Sequence, residues 1–374
     1  MQAWDRFRQV IQDRHGYARE WKARTGGRLI GYFCSYFPEE LAYAAGVLPV
    51  RILGAHEPQD LSEQHIFTMY CPYCRDCLAQ GLLGRYDYLD GIGTGHSCMH
   101  IRQTFDSWQR HLSPTYSYYV FVPAHVQTPR AHPALVMELE DFQASLEVWT
   151  GHPITPQALD GAIEVYNTNR RLMRQVYELR KRELPPLSGT EAMERVLSSQ
   201  MMDKAEHNRL LKAALPELSA REGVRGGFRL MVLGSENDDT ELVRLFESLG
   251  AQVVIDDHCT GSRYFWNEVE PGADRLAAIA SRYLERPPCP QKDLVERRRL
   301  VHVRRLVEDY RVQGAVLIQQ KFCDPHEYDM APLQDLFKEY GIPSLRLELD
   351  TTLPVGQFRT RAEAFLEMLQ LEAV

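Results

Sequence analysis

Three times in this chain a helical stretch stops on a glycine and runs straight into an apolar segment. Residues 38–45 are closed by Gly46 and followed by Val47-Leu48-Pro49-Val50. Residues 239–249 are closed by Gly250 and followed by Ala251-Gln252-Val253-Val254-Ile255, and residues 331–340 by Gly341 and Ile342-Pro343-Ser344-Leu345-Arg346-Leu347. A glycine just past a helix takes the left-handed conformation that ends it at little steric cost. Helix, glycine and strand in repeated succession are what a parallel sheet with helical crossovers requires. Residues 29–33, 88–92, 118–122, 228–233 and 314–318 supply the other strand candidates. The last three are continuous apolar or aromatic runs, as strands covered on both faces should be.

Between the two strand-rich halves the pattern is helical. Thr155 and Pro156 open a helix as N-cap and first residue, with Leu159, Ile163, Tyr166, Met173 and Tyr177 on one face. Leu184-Pro185-Pro186 breaks it, a second helix is expected over roughly residues 190–213, and residues 215–227 are polar and glycine-containing. A surface-docked helix within residues 1–26 and a last helix from about 358 complete the reading. The fold class is therefore α/β: two Rossmann- or flavodoxin-like parallel-sheet domains joined by a helical segment. The boundaries are an N-terminal α/β domain over 1–150, a helical connector over 151–224 and a C-terminal α/β domain over 225–374.

Net charge is −8, which argues against a nucleic-acid partner, because phosphate binding needs a basic face. No run of apolar residues is long enough to span a membrane, and Met1-Gln2-Ala3-Trp4-Asp5-Arg6 does not read as a signal peptide. A cytoplasmic location is expected. Thiols stay reduced there, so clustered cysteines favour metal or redox roles over structural disulfides.

Of the eight cysteines, Cys71, Cys74 and Cys77 form two overlapping C-x-x-C steps. Four others, Cys34, Cys98, Cys259 and Cys323, each follow a separate strand candidate. Ligands of open parallel sheets sit outside the carboxyl ends of the strands. A zinc ribbon needs a second C-x-x-C pair, which is missing. A thioredoxin-like pair fits poorly with the third cysteine and the chain length. A bacterial ferredoxin run would need a fourth cysteine at position 81, where glycine stands. A cluster assembled from distant loops remains. Neither a P-loop nor a G-x-G-x-x-G after a strand occurs, and Leu233-Gly234-Ser235-Glu236-Asn237 has one glycine where three are needed. Among the histidines, His96 and His258 each lie within two residues of a post-strand cysteine.

Several segments resemble one known family in order along nearly the whole chain. They are Gly31-Tyr32-Phe33-Cys34-Ser35-Tyr36-Phe37-Pro38-Glu39-Glu40-Leu41, Cys71-Pro72-Tyr73-Cys74-Arg75, His96-Ser97-Cys98-Met99-His100, and Lys321-Phe322-Cys323-Asp324-Pro325. The family is that of the 2-hydroxyacyl-CoA dehydratases and benzoyl-CoA reductases. Within it, the length and the Cys71–Cys77 element most resemble the smaller cluster-bearing (gamma, or C) subunits of ATP-dependent benzoyl-CoA reductases.

The resemblance implies a [4Fe–4S] cluster on Cys71, Cys98 and Cys323, with one iron left open. It leaves Cys34, Cys74, Cys77, Cys259 and Cys289 without a role. It implies a paralogous larger cluster-bearing subunit, ATP-hydrolysing activator subunits, ferredoxin as upstream donor, and benzoyl-CoA or another CoA thioester as substrate, dearomatised to a cyclic dienoyl-CoA by single electrons. A 2-hydroxyacyl-CoA dehydratase subunit is the alternative, and an electron-relay or scaffold subunit without substrate contact is the second. Ser35, Glu39, Glu40 and His96 are proton-donor candidates by position, and Arg75, Arg102 and Lys321 are cations placed to tune a cluster.

Overall fold

The apolar runs become the strands of two separate parallel sheets in a computed structural model, which describes residues 3–372 apart from 225 and 353. The first sheet contains β1 (Arg28–Tyr32), β2 (Val47–Arg51), β3 (Gly91–Gly95) and β4 (Tyr116–Val120). The second contains β5 (Arg229–Gly234), β6 (Gln252–Asp257), β7 (Gly314–Gln320) and β8 (Ser344–Leu349). Strand orders are β2-β1-β3-β4 and β6-β5-β7-β8, every pairing is parallel, and the two sheets share one topology. The fold class is α/β, as the repeated helix–glycine–strand units require. Those three glycines, Gly46, Gly250 and Gly341, sit at φ of +75°, +92° and +64°. The central strands β5 and β7 are buried at every position, which is why they read as unbroken apolar runs.

The clearest departure from the sequence reading is β3, expected over 88–92 and found over Gly91–Gly95. Its glycines hid it. The aromatic segment Tyr36–Phe37 lies flat on this strand: a Cβ on Gly93 would run into the Phe37 ring, and one on Gly95 into the Tyr36 carbonyl. A strand that takes another backbone this closely must give up its side chains. Tyr88, the first residue of the expected strand, instead packs with Tyr86 in a turn against His15.

The N-terminal helix is two helices, Ala3–Gln12 and Arg14–Thr25. Asp13 caps the second by accepting from the Gly16 N–H at 2.8 Å. The last crossover helix begins earlier than expected, at Asp324 rather than 331. A 20-residue helix, Ala131–Thr150, escaped the sequence reading, although Leu135, Leu139, Phe142 and Leu146 form its buried stripe.

The middle of the chain is helical, over Pro156–Glu178, Gly189–Ser199 and Lys204–Ala220. Thr155 caps the first helix by accepting from Ala158 N–H at 3.1 Å, and Ser188 with Glu191 forms a capping box on the second. The first helix joins the two halves. Arg170 pairs with Glu40 behind the first sheet, and Tyr177 donates to Asp256 of β6. Among the described residues no helix is long and apolar enough to cross a membrane.

Candidate functional site

In a sheet of order 2-1-3-4 the chain leaves its two middle strands in opposite directions, and a crevice opens at their carboxyl ends. Here the four loops concerned follow β1, β3, β5 and β7. They carry Cys34, Cys98, Glu236 and Cys323, and all four residues face one cavity of about 80 Å³ between the sheets. Cys71, Cys259 and Cys289 also line it, so six of the eight cysteines meet there. None is in a disulfide. A cleft of about 280 Å³ between Pro185–Ser188 and Gly250–Val254 contains no cysteine or histidine.

Cys71, Cys98 and Cys323 share a local design. Each is the N-cap of a helix, of 11, 14 and 16 residues, and none caps that helix with its side chain. Cysteine is a poor cap, since it lacks the oxygen that would satisfy the first N–H groups. The thiol is thereby left free to point into the cavity, and three helix N-termini surround it with unsatisfied donors and positive dipole ends. That is a setting for a polyanion. Phe322 holds Cys323 in place from a left-handed backbone (φ +63°), a strained conformation for an aromatic residue.

The thiols crowd one another. Hydrogen bonding to Cys74, and then burial, raises the Cys71 thiol well above its ordinary value. Burial raises Cys98 and Cys323, with Cys71 pushing both the same way. Soft thiols that repel one another's charge are relieved by a cation or a cationic cluster core. Among the described residues no three His, Cys, Asp or Glu side chains are gathered around one point closely enough to share a single metal ion. Ligands spread around the walls suit the separate corners of a multi-iron cluster.

The other cysteines divide. Cys74 and Cys77 are fully buried and do not line the cavity. Cys77 Sγ donates to the Ile52 carbonyl at 3.7 Å, as a packed thiol does. Cys259 accepts from Arg51 Nη2 at 3.8 Å, and the Cys289 N–H donates to Tyr36 Oη at 3.3 Å.

Of the proton-donor candidates, Ser35 lines the cavity, and its carbonyl accepts from Arg286 Nη1 at 2.5 Å. Glu39 and Glu40 do not line it. Glu39 accepts from Tyr264 Oη at 2.9 Å, and Glu40 is held by Arg170 and by Tyr283 Oη at 2.9 Å. Tyr283 Oη also donates to the Phe37 carbonyl at 2.8 Å, so this network pins the loop that carries Cys34. His96 lies in an adjoining hollow with Arg102 and Asp324. Its Nδ1 is 2.8 Å from Tyr119 Oη, and burial lowers its pKa to about 4. Arg75 and Lys321 both turn to Asp350, at 2.8 and 3.3 Å, outside the cavity.

Two cavity residues were not singled out from the sequence. Glu236 is buried, and neither carboxyl oxygen has a hydrogen-bond partner. Burial, then the nearby Asp238, raises its pKa well above the carboxylate range. Arg51, at the end of β2, is 2% exposed. It gives Nε to Tyr73 Oη at 3.3 Å and leaves Nη1 without a partner. The only local signal was that each is a charged residue just beyond an apolar strand.

Residues 34–369 match the family model described as 2-hydroxyglutaryl-CoA dehydratase, D-component. The chain is 25% identical to the beta subunit of (R)-phenyllactyl-CoA dehydratase of Clostridium sporogenes, over 97% of each chain. It is 27% identical to the C subunit of benzoyl-CoA reductase of Thauera aromatica, over 95% of this chain and 94% of that one. It is 26% identical to the beta subunit of (R)-2-hydroxyglutaryl-CoA dehydratase of Acidaminococcus fermentans, over 98% of each.

Proposed function

The chain belongs to the 2-hydroxyglutaryl-CoA dehydratase D-component family, and from that premise we propose that it is the iron–sulfur subunit of an enzyme that acts on CoA thioesters by single-electron chemistry. The observation that carries this is the convergence of three uncapping N-cap cysteines, Cys71, Cys98 and Cys323, on one cavity. We assign them as ligands of a [4Fe–4S] cluster. Bound there, the cluster supplies low-potential electrons one at a time, through an iron that three-thiolate ligation leaves open.

The chain's own residues do the rest. Phe33 and Ile101 line the cavity and help keep water out. The helix N-termini stabilise added negative charge. Glu236 holds a proton on its carboxyl within the cavity and is placed to deliver it to a reduced substrate. Electrons come from outside the chain: a paralogous cluster-bearing subunit, an ATP-hydrolysing activator and ferredoxin complete the assembly, in the reducing cytoplasm. The units 1–150, 151–224 and 225–374 are its domains in this reading.

For the reaction itself we propose reduction of benzoyl-CoA to a cyclic dienoyl-CoA, which the Cys71–Cys77 element supports. Dehydration of a 2-hydroxyacyl-CoA is the second reading. It is favoured by the placing of Cys74 and Cys77 outside the cavity and by the dehydratase subunits among the relatives. The complex with its activator, incubated anaerobically with each thioester, separates them. Net electron consumption with benzoyl-CoA is expected; loss of water from a 2-hydroxyacyl-CoA without net electron consumption would overturn the reductase reading.

A further inference from the structure

Three thiols in the cavity remain after Cys71, Cys98 and Cys323 are assigned: Cys34, Cys259 and Cys289. They are not scattered. Cys34 follows β1, Cys259 follows β6, and Cys289 lies in the connection from β6 to β7. The assigned set takes two cysteines from the first-sheet half and one from the second. The remaining set takes one from the first-sheet half and two from the second. The six thiols, which line one chamber, thus divide into two complementary triads.

Cys289 stands near both sets, since it also raises Cys98 and Cys323. Burial raises the Cys289 thiol, and Cys34 and Cys259 push it further. Cations stand around this second triad. Burial lowers Lys292 to about 8, against which Cys34 and Cys289 favour its charge; Arg263 is buried and paired with Asp257, and Cys259 and Cys289 favour its charge further. Arg51 is the most telling. Its guanidinium is 2% exposed and touches Cys259 Sγ at 3.8 Å. Its Nη1 is unpartnered, and among the described residues no carboxylate is paired with it. A buried guanidinium without a counter-ion is costly. Glu236, which shares the cavity, makes no hydrogen bond or ion pair with it. The charge is directed at thiolates and at whatever anion they hold.

We infer that Cys34, Cys259 and Cys289 form a second ligand set, which binds a second iron–sulfur unit in the same chamber beside the first, with Arg51 as its buried counter-charge. The ligand class is iron with inorganic sulfide. This goes beyond the proposed function and depends on it only for the assignment of the other triad.

The test uses the full chain, purified without oxygen and reconstituted with ferrous iron and sulfide. Iron and acid-labile sulfide per chain are measured, together with the electron paramagnetic resonance spectrum. The wild type is expected to hold about twice the four irons of a single cubane. The variant Cys34→Ser/Cys259→Ser/Cys289→Ser is expected to lose half or more of the iron, with its melting temperature before reconstitution unchanged. Wild-type iron at a single cluster's level, or full retention by that variant, would overturn the inference. Full retention by Cys71→Ser/Cys98→Ser/Cys323→Ser would instead overturn the first ligand set and leave this one standing. If the triple variant does not fold, Cys259→Ser alone decides: an altered resonance spectrum is expected, and an unchanged spectrum with unchanged iron sinks the proposal.

Discussion

Arg75 donates to the carboxylate of Asp350 at 2.8 Å, joining the helix that begins at Cys71 to the segment just beyond β8, whose neighbour β7 leads into Cys323. Lys321 reaches the other oxygen of Asp350 at 3.3 Å. The pair is thus a strut between two thiols that belong to different sheets. Its aspartate side chain is 44% exposed, so water screens it strongly. Asp350→Asn is expected to cost about 0.5–1 kcal/mol in chemical denaturation, less at high salt, and to leave iron content unchanged. A much larger loss would mean that the strut carries the interface rather than trimming it.

Glu236→Gln should separate chemistry from stability. The variant is expected to keep its iron and to lose turnover in the assembled complex by about 10²–10⁴-fold, the scale of a missing proton donor. Stability should move the other way. The folded carboxyl holds its proton well above the ordinary 4.5, so wild-type stability falls as pH rises from 4.5 toward the folded value. Glutamine removes that slope and makes the protein more stable at neutral pH, which melting curves across pH would report.

His56 and Asp238 form a second tie between the halves, with Nε2 2.6 Å from the carboxylate. Asp238 raises the histidine from 6.5 to about 10, against burial. A folded pKa raised in this way stabilises fully below pH 6.5 and is lost as pH climbs through 10. His56→Asn keeps a residue that tolerates the left-handed backbone found there (φ +56°). It should lower the melting temperature at pH 6 and make little difference above pH 10.

Phe322 carries strain of about 1–2 kcal/mol at its positive φ. Phe322→Gly is expected to leave global stability level or slightly raised in denaturant titrations, because relief of strain offsets the entropy glycine loses on folding. Iron retention during chelator challenge should fall, since Cys323 is then held by a looser backbone. Retention equal to wild type would show that the Cys323 cap geometry is set by the helix alone.

The legible parts of this chain were those written in one or two residues. Gly46, Gly250 and Gly341 each end a helix by themselves, and Thr155-Pro156 starts one. The strand β3 was misplaced because its identity comes from partners: Ile30 and Tyr116 on either side, and Tyr36–Phe37 lying across its glycines. The same division holds at the site. Cys71, Cys98 and Cys323 lie in recognisable local contexts. Glu39 and Glu40, acids at a helix start, looked equally available until Tyr264 and Arg170 were seen to hold them. Arg51 and Glu236 had no local mark beyond a charge at the end of an apolar strand, because what distinguishes them is the absence of an oppositely charged partner among the described residues. That property belongs to two sheets facing each other and to no stretch of sequence.

Each of the three N-cap cysteines begins its own crossover helix, and each of those helices already packs on a sheet with its own apolar core. Small metal-dependent domains fold around their ion and fall apart without it. Here the hydrophobic layers do the work of folding, and the thiols arrive in position as a by-product. If the proposed cluster is bound, manufacture of the polypeptide and installation of that cluster are therefore separable events. In the proposed role, the chain can fold first and receive iron and sulfide afterwards.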